Sequence, residues 1–122
     1  KTTTGTVGTI EVVDARGSGL GWSLNIKATD FVETSDPSRI IDITAGANTG
    51  FSVPSAPTVN VIAGNTAPSS FSGNLDGPGF TLLSATANTG MGTYQTTPDL
   101  ELKVPAETYS GTYESTVTLT VN

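Results

Sequence analysis

The residues Trp22-Ser23-Leu24-Asn25-Ile26-Lys27 alternate between apolar and polar side chains without a break. Because successive side chains of a β-strand point to opposite faces, Trp22, Leu24 and Ile26 share one face and the polar residues share the other. Such a period of two predicts a strand that is buried on one side. We therefore expect Trp22, the only tryptophan of the chain, to lie in a hydrophobic core.

The same alternation recurs outside this stretch. Residues 100–104 read Leu-Glu-Leu-Lys-Val before a proline, and residues 116–121 alternate threonine with valine and leucine. Gly, Pro, Asn or Asp commonly lies at the ends of such segments, as is typical of turns. No window has a convincing helical period, and helix occupies at most a turn or two near residues 35–39. Shorter candidate strands are residues 9–13, 40–44, 58–62 and 80–87.

The strand pattern predicts the fold class and the domain organisation. Strands of this length, separated by Gly-, Pro- and Ser-rich loops, are typical of an all-β antiparallel sandwich of the immunoglobulin-like, Greek-key type. The 122 residues suit a single domain, residues 1–122, with a core of its own. Residues 45–79 are the richest in turn-forming residues, and we interpret them as irregular loops around one or two strands.

The composition disfavours several classes of function. The net charge is −6 and the five basic residues do not cluster, whereas nucleic-acid binding depends on basic side chains that neutralise phosphates. No apolar run approaches the length of a membrane span. Histidine and cysteine are absent, so the commonest general base and the thiol nucleophile are missing. We predict a protein that is not an enzyme, binds no nucleic acid and has no membrane span.

The eleven acidic residues are dispersed and predict neither a catalytic pair nor a cofactor site. Most of them fall in turns, where aspartate commonly accepts hydrogen bonds from the nearby backbone. Asp30, Glu33 and Asp36 come closest to a calcium loop, but they lack the Asp-x-Asp-x-Asp-Gly pattern. We expect no cofactor and no metal, with calcium at these acids as the alternative.

Two tyrosines are candidates for contact with a polysaccharide. An aromatic ring that is exposed to solvent can stack on a sugar ring, and we expect Tyr94 and Tyr109 to be exposed. Trp22 shares its face with Leu24 and Ile26, so a core position is the better interpretation for the indole. The possible glycan contacts are therefore Tyr94 and Tyr109.

The segment around Trp22 also resembles the signature of a known family. In residues 5–24, a strand that ends in Asp-x-Arg-Gly leads through a glycine-rich turn into Trp-x-Leu. This order resembles the first signature of the WxL surface domains of Gram-positive bacteria, and residues 104–113 are similar to that family's C-terminal part. The motif residues are Asp14, Arg16, Gly17, Trp22, Leu24 and, in the continuation of the signature, Phe31.

This resemblance implies an extracellular location, at the cell surface or in the cell wall. WxL domains are associated with non-covalent attachment to peptidoglycan and with surface complexes. The family's second Trp-x-Leu would fall at Leu119-Thr120-Val121, where leucine stands in place of the tryptophan. A complete family member is also expected to have a further strand before Lys1.

A sandwich that lacks one strand has an open sheet edge, to which another chain can add a strand. We therefore predict a structural or adhesive module that assembles with copies of itself or with surface proteins into a filament or surface complex. The alternative is a module that binds peptidoglycan or wall polysaccharide. The candidate residues for strand addition are Thr4, Thr6, Val7, Thr9, Val117, Leu119 and Val121.

Overall fold

A computed structural model describes residues 2–14 and 19–122. These described residues form fourteen strands and no helix. None of them belongs to a helix that is long and apolar enough to cross a membrane. In chain order the strands are β1 (Thr2–Thr6), β2 (Ile10–Val13), β3 (Trp22–Ala28), β4 (Phe31–Glu33), β5 (Ile40–Ile41), β6 (Gly50–Val53), β7 (Val59–Gly64), β8 (Ser69–Ser70), β9 (Gly73–Asn74), β10 (Phe80–Ala85), β11 (Gly92–Thr96), β12 (Asp99–Lys103), β13 (Tyr113–Glu114) and β14 (Val117–Val121).

The first layer is built around β11 and β12. β1 pairs with β12 and β2 pairs with β11, while β6 and β7 pair with the other sides of β12 and β11. β9 lies beside β6. These strands form two hydrogen-bonded sheets, β1–β12–β6–β9 and β2–β11–β7. Because β1 and β2 follow each other in the chain, as do β11 and β12, we describe the two sheets together as the first layer.

The second layer is built in the same way around β3 and β4. β14 pairs with β3 and β13 pairs with β4 on one side, while β10 and β5 pair with them on the other. β8 lies beside β10. These pairs are also antiparallel, so β14 and β13 form one edge of this layer.

The two layers enclose one hydrophobic core. Aromatic contacts cross between them: the ring centroids of Trp22 and Tyr94 lie 6.5 Å apart, and those of Phe31 and Phe51 lie 5.0 Å apart, edge to face. Full burial of a large apolar side chain contributes roughly 1.5–3 kcal/mol, so this core is the main source of stability. The buried apolar residues are Ile10, Val12, Trp22, Leu24, Ile26, Ile41, Ile43, Phe51, Val53, Leu75, Leu82, Leu83, Ala85, Tyr94, Leu100 and Leu102.

This architecture confirms the predicted all-β, antiparallel fold class and is consistent with a sandwich. The structure buries Trp22, Leu24 and Ile26 together on the inner face of β3. Residues 45–79 hold four strands, β6 to β9, so the expectation of one or two strands there is wrong. The reason is that β8 and β9 have two residues each, which is too short for alternation to appear.

Candidate functional site

The turn that follows β10, residues 86–90, packs against Trp22, the tryptophan of the Trp-x-Leu signature. The indole Nε1 of Trp22 donates a hydrogen bond to the backbone oxygen of Gly90 at 2.9 Å. Gly90 has a φ of +65°, a conformation that residues with a side chain rarely adopt. A Cβ at this position would lie 2.9 Å from Nε1 of Trp22 and 2.4 Å from the Cβ of Ala85. The turn can therefore approach the indole because residue 90 is glycine.

Asn65 ties this turn to the start of β11. Its Nδ2 donates to the backbone oxygen of Asn88 at 2.8 Å, and its Oδ1 accepts from the backbone nitrogen of Met91 at 2.8 Å. The backbone nitrogen of Gly90 also donates to the backbone oxygen of Thr66 at 2.8 Å. These bonds hold the turn that contacts the indole, so the tryptophan of the signature has a structural role.

The remaining motif residues lie on or beside the strands that flank the signature, or outside the described residues. The backbone nitrogen of Asp14 donates to the backbone oxygen of Gly92 at 2.7 Å, which extends the pairing of β2 with β11. Phe31 is half-buried and packs against the core. Arg16 and Gly17 lie outside the residues that the structure describes.

The prediction that Tyr94 is an exposed glycan contact is wrong. Tyr94 is 1% exposed, and its hydroxyl donates to the backbone oxygen of Asn65 at 3.1 Å. It stands on β11 opposite Val12 of β2, and both side chains face the core. Burial raises the pKa of Tyr94, because a phenolate would lose its hydration there. Of the two tyrosines, Tyr109 therefore remains as the glycan candidate.

Two edge strands face each other along one side of the molecule. Within the described residues, β1 has one strand partner, β12, and β14 has one strand partner, β3. A hollow of about 280 Å³ separates β1 from β14, and its rim includes Thr3, Thr6 and Val117. A second hollow of about 280 Å³ lies between β2 and the end of β14, beside Val121. We call these two hollows together the edge slit.

The edge slit is lined mainly by apolar side chains, although Asp14 is among the residues that line its second hollow. Its second hollow adjoins Val12 and Trp22, which belong to the hydrophobic core. Each of the two hollows therefore borders side chains of the core. The apolar side chains that line the first hollow below β1 and β14 are Phe31, Phe51, Leu100 and Leu102.

The inner face of β14 is partly exposed: Val117 lines the first hollow, Val121 lines the second, and Leu119 lies between them on the strand. Leu119 stands opposite Ile26 and Val121 stands opposite Leu24, and both partners are buried in the core. Cross-strand partners lie on the same face of a sheet, so Leu119 and Val121 also face inward. They are nevertheless 43% and 57% exposed. Across the slit, the positions of β1 that stand opposite buried leucines are a threonine and a glycine, which leave space between the layers.

Neither edge strand carries the residues that usually protect a sheet edge. Natural proteins commonly place charged side chains, proline or bulges on exposed edges, because an open edge pairs readily with other chains. Residues 2–9 and 115–122 contain no charged residue and no proline. Pairing of another strand along β1 or β14 is therefore opposed neither by like charge nor by proline, whereas β2, beside the second hollow, carries Glu11 and is followed by Asp14.

The residues predicted for strand addition divide into two groups. Val7 and Thr9 lie in a break between β1 and β2, where Gly8 has a φ of +83°. Val7 packs against the core, and Oγ1 of Thr9 lies 3.3 Å from Oγ1 of Thr97, so placing these two residues on an edge strand is wrong. The other five residues do lie on edge strands and are Thr4, Thr6, Val117, Leu119 and Val121.

A polar cleft of about 560 Å³ lies between two loops, residues 34–39 and residues 105–112. We call it the loop cleft. A neighbouring hollow, which adjoins Lys103, shares Pro105 and Glu107 with it. The cleft thus combines charged, hydroxyl and aromatic groups. Its lining includes Asp36, Ser38, Arg39, Pro105, Glu107, Thr108, Tyr109 and Tyr113.

Tyr109 is an ordered aromatic ring at the surface of the loop cleft. The guanidinium carbon of Arg39 lies 4.3 Å from the ring centroid of Tyr109, a cation–π contact. Nε of Arg39 lies 3.3 Å from Oδ2 of Asp36, and the hydroxyl of Tyr113 donates to the backbone oxygen of Tyr109 at 2.8 Å. The side chain of Tyr109 is still 65% exposed. It therefore offers a ring surface beside a cation and a carboxylate.

The acids considered for calcium accept hydrogen bonds from backbone and hydroxyl groups of the protein. Oδ1 of Asp30 accepts a hydrogen bond from the backbone nitrogen of Ile43 at 2.9 Å. Oδ1 of Asp36 accepts from the hydroxyl of Ser38 at 2.6 Å, which lowers the pKa of Asp36. Across residues 2–14 and 19–122, no three His, Cys, Asp or Glu side chains come together as metal ligands. Asp36 therefore bonds within its own turn, whereas Asp30 bonds to a residue thirteen positions further along the chain.

Glu33 stabilises one wall of the loop cleft. Its carboxylate is buried and accepts hydrogen bonds from the hydroxyl of Ser35 at 2.8 Å, from the backbone nitrogen of Ser35 at 2.7 Å and from the backbone nitrogen of Asp36. The bond from the Ser35 hydroxyl contributes most to lowering the pKa of Glu33. Gly111 packs on the same carboxylate, since a Cβ there would lie 2.7 Å from Oε1. Glu33 thus bonds to one loop of the cleft and contacts the other.

Two parts of these sites carry no signal in the sequence pattern. No pattern in the sequence marks Arg39 as a functional residue, although its position three residues after Asp36 permits the ion pair seen here. The floor of the edge slit combines Phe31, Phe51 and Leu100, which lie on three separate strands. Their meeting depends on how the strands pair, and alternation along one strand does not report it.

One family matches the whole chain. Its description is WxL domain surface cell wall-binding, and the match covers residues 1–122. No match was found among curated proteins or among solved structures. The family places the chain outside the cell, at the cell surface or in the wall, and its description names wall binding and no reaction. With a match from the first residue to the last, the chain belongs to the WxL domain family of surface cell wall-binding domains.

Proposed function

We propose that this WxL domain is a non-catalytic structural or adhesive module that joins other chains at the cell surface by β-strand addition. An extended segment of another copy or of a surface protein adds to the open edge and forms main-chain hydrogen bonds with it. The apolar side chains of that segment fill the edge slit. Repetition of this contact produces a filament, and a single contact produces a surface complex.

The exposed inner face of β14 carries this proposal. Full burial of an apolar side chain contributes roughly 1.5–3 kcal/mol, so covering the half-exposed Leu119 and Val121 would contribute about 2 kcal/mol in total. Each main-chain hydrogen bond of an added strand contributes a further net amount of about 0.5–1.5 kcal/mol. The slit therefore favours an occupant with an apolar side chain at every second position.

Leu119→Lys is expected to abolish association, because the added strand would bury an ammonium ion in an apolar slit without a partner. Analytical ultracentrifugation of the purified chain at increasing concentration measures the effect. The native chain is expected to form species larger than a monomer at concentrations where the variant stays monomeric. Leu20→Lys places the same charge on an exposed apolar residue outside the edge slit and is expected to associate like the native chain.

Hydrogen exchange shows where the chains join. Backbone amides of β1 and β14 are expected to exchange more slowly in the associated sample, since a new strand covers their open edges. Equal association of Leu119→Lys and the native chain would contradict strand addition at the slit. So would association that leaves the exchange of both edge strands unchanged. Matching circular dichroism spectra establish that the variants are folded.

The loop cleft supports a second function, the binding of peptidoglycan or wall polysaccharide. The supporting observation is the exposed ring of Tyr109, which is held beside Arg39 and Asp36. The ring offers a stacking surface for a sugar, and the charged groups offer hydrogen bonds to its hydroxyls. Wall binding at this cleft also accords with the description of the family.

Tyr109→Ala is expected to weaken binding to purified peptidoglycan sacculi about tenfold, which corresponds to about 1.4 kcal/mol. Cosedimentation of the chain with sacculi at several chain concentrations gives the apparent affinity. Phe71→Ala removes another exposed aromatic ring, outside the loop cleft, and is expected to bind like the native chain. A folded Tyr109→Ala variant with unchanged affinity would count against the cleft as the glycan site.

A further inference from the structure

The first layer has a second open edge, on the side opposite the edge slit. In the strand order β2–β11–β7, β7 is the outermost strand, and β11 is its one strand partner within the described part of the chain. The last five residues of β7 are exposed. Among them, Val61 and Ile62 are 48% and 56% exposed. An apolar strand edge therefore lies at the surface on this side.

Each open side of the layer has an uncharged strand edge, β7 on one side and β1 on the other, whereas β2 carries Glu11 and is followed by Asp14. β7 contains no charged residue and no proline, and the same holds for residues 2–9 and 115–122 at the edge slit. The whole chain carries a net charge of −6, so two copies repel each other through most of their surfaces. This repulsion is weakest where the two contacting surfaces are both uncharged. Contact between copies is thus least opposed at these edges.

The shapes of the two sides are complementary. The edge slit is a recess with an apolar floor, whereas β7 presents exposed apolar side chains on an outermost strand. Two slits placed against each other would leave both recesses unfilled. A recess on one copy and an exposed strand on the next would bury apolar surface from both, namely Leu119 and Val121 from the first and Val61 from the second.

We propose that the occupant of the edge slit is β7 of a second copy of this chain, an inference that rests on the strand addition proposed above. The uncharged β1 edge of one copy pairs with β7 of the next, so that the first layer continues across both copies. Because the two contacting surfaces lie on opposite edges of one layer, the contact is head-to-tail and leaves a free edge at each end. The assembly therefore grows as a filament and does not stop at a dimer.

Two complementary variants test this arrangement. Val61→Lys blocks the β7 side and leaves the slit intact, and Leu119→Lys blocks the slit and leaves β7 intact. Each variant alone is expected to be monomeric in analytical ultracentrifugation. An equimolar mixture is expected to form a one-to-one dimer that grows no further, because one free slit meets one free β7 edge. Leu20→Lys is the charge control and is expected to form filaments like the native chain.

The outcomes separate this inference from the proposal on which it rests. If Leu119→Lys is monomeric while Val61→Lys still associates, the slit accepts another segment, and the assignment of β7 is overturned. If Leu119→Lys associates as the native chain does, both proposals are overturned. A mixture that stays monomeric when each variant alone is monomeric and folded also overturns the head-to-tail arrangement.

A second variant protects the test against a folding defect. Val61 stands opposite the buried Tyr94, so Val61→Lys is used only if its thermal unfolding midpoint matches that of Leu20→Lys. Otherwise Ile62→Lys replaces it, because the register shift in the pairing of β7 with β11 leaves Ile62 without an opposite residue. The same mixing result with Ile62→Lys supports the assignment, and continued association of this variant overturns it.

Discussion

Trp22→Ala is expected to lower the free energy of unfolding by about 3–5 kcal/mol, the usual cost of emptying a large aromatic core site. The indole is buried between the layers and contacts the ring of Tyr94. Alanine leaves a cavity there and also removes the Nε1 donor that pairs with the backbone oxygen of Gly90. Urea unfolding followed by circular dichroism gives the free-energy difference. A loss below about 1 kcal/mol would contradict the core position of the indole.

Trp22→Phe separates the two contributions. Phenylalanine retains much of the apolar volume but has no donor for the carbonyl of Gly90. Leaving a buried acceptor unpaired costs about 1–3 kcal/mol, so this variant is expected to lie between the native chain and Trp22→Ala. A Phe variant as unstable as the Ala variant would mean that the hydrogen bond, and not the ring volume, dominates the role of the indole.

The buried face of β3 could be predicted because its signal is local. Six residues alternate without a break, so the orientation of each side chain follows from the period alone. The same holds for β14, whose valine and leucine positions alternate with threonine. For β14 the sequence predicts the face correctly but not its exposure, since exposure depends on whether the opposite layer covers that face. The open slit leaves Leu119 and Val121 uncovered.

β11 was not predictable in this way. Its residues read Gly-Thr-Tyr-Gln-Thr, with a single large side chain, so no apolar alternation is visible. The strand is nevertheless central, because β2 and β7 pair with its two sides. Tyr94 is buried for this reason, and a tyrosine in an unassigned segment is easily taken for a surface residue. Its role follows from topology, which depends on partners far away in the chain.

For the edge slit, too, the sequence predicts the strands themselves but not which strands pair. The two edge strands were predicted near the two ends of the chain, but their position beside the core was not. β1 reaches that position by pairing with β12, where Thr3 stands opposite Leu102. No periodic pattern reports a pairing between residues so far apart. The candidate residues could therefore be named from the sequence, while the floor that gives the slit its apolar character required the structure.

Gly90→Ala is expected to destabilise the fold by about 2–5 kcal/mol, although it adds a single methyl group. The φ of Gly90 is +65°, and a left-handed conformation costs a residue with a side chain roughly 1–2 kcal/mol. The new Cβ would also lie 2.4 Å from the Cβ of Ala85 and 2.9 Å from Nε1 of Trp22, and overpacking of this kind typically costs about 1–3 kcal/mol. Urea unfolding followed by circular dichroism measures the total loss in the free energy of unfolding.

Gly77→Ala is the matched control, because Gly77 has a φ of +59° and an added Cβ there meets nothing within 4 Å. This variant carries the conformational cost alone and is expected to lose about 1–2 kcal/mol. The difference between the two glycine variants therefore measures how closely the turn packs on the indole. If both variants lose the same free energy of unfolding, the turn can move away from Trp22 without cost. Its contact with the signature tryptophan would then be incidental.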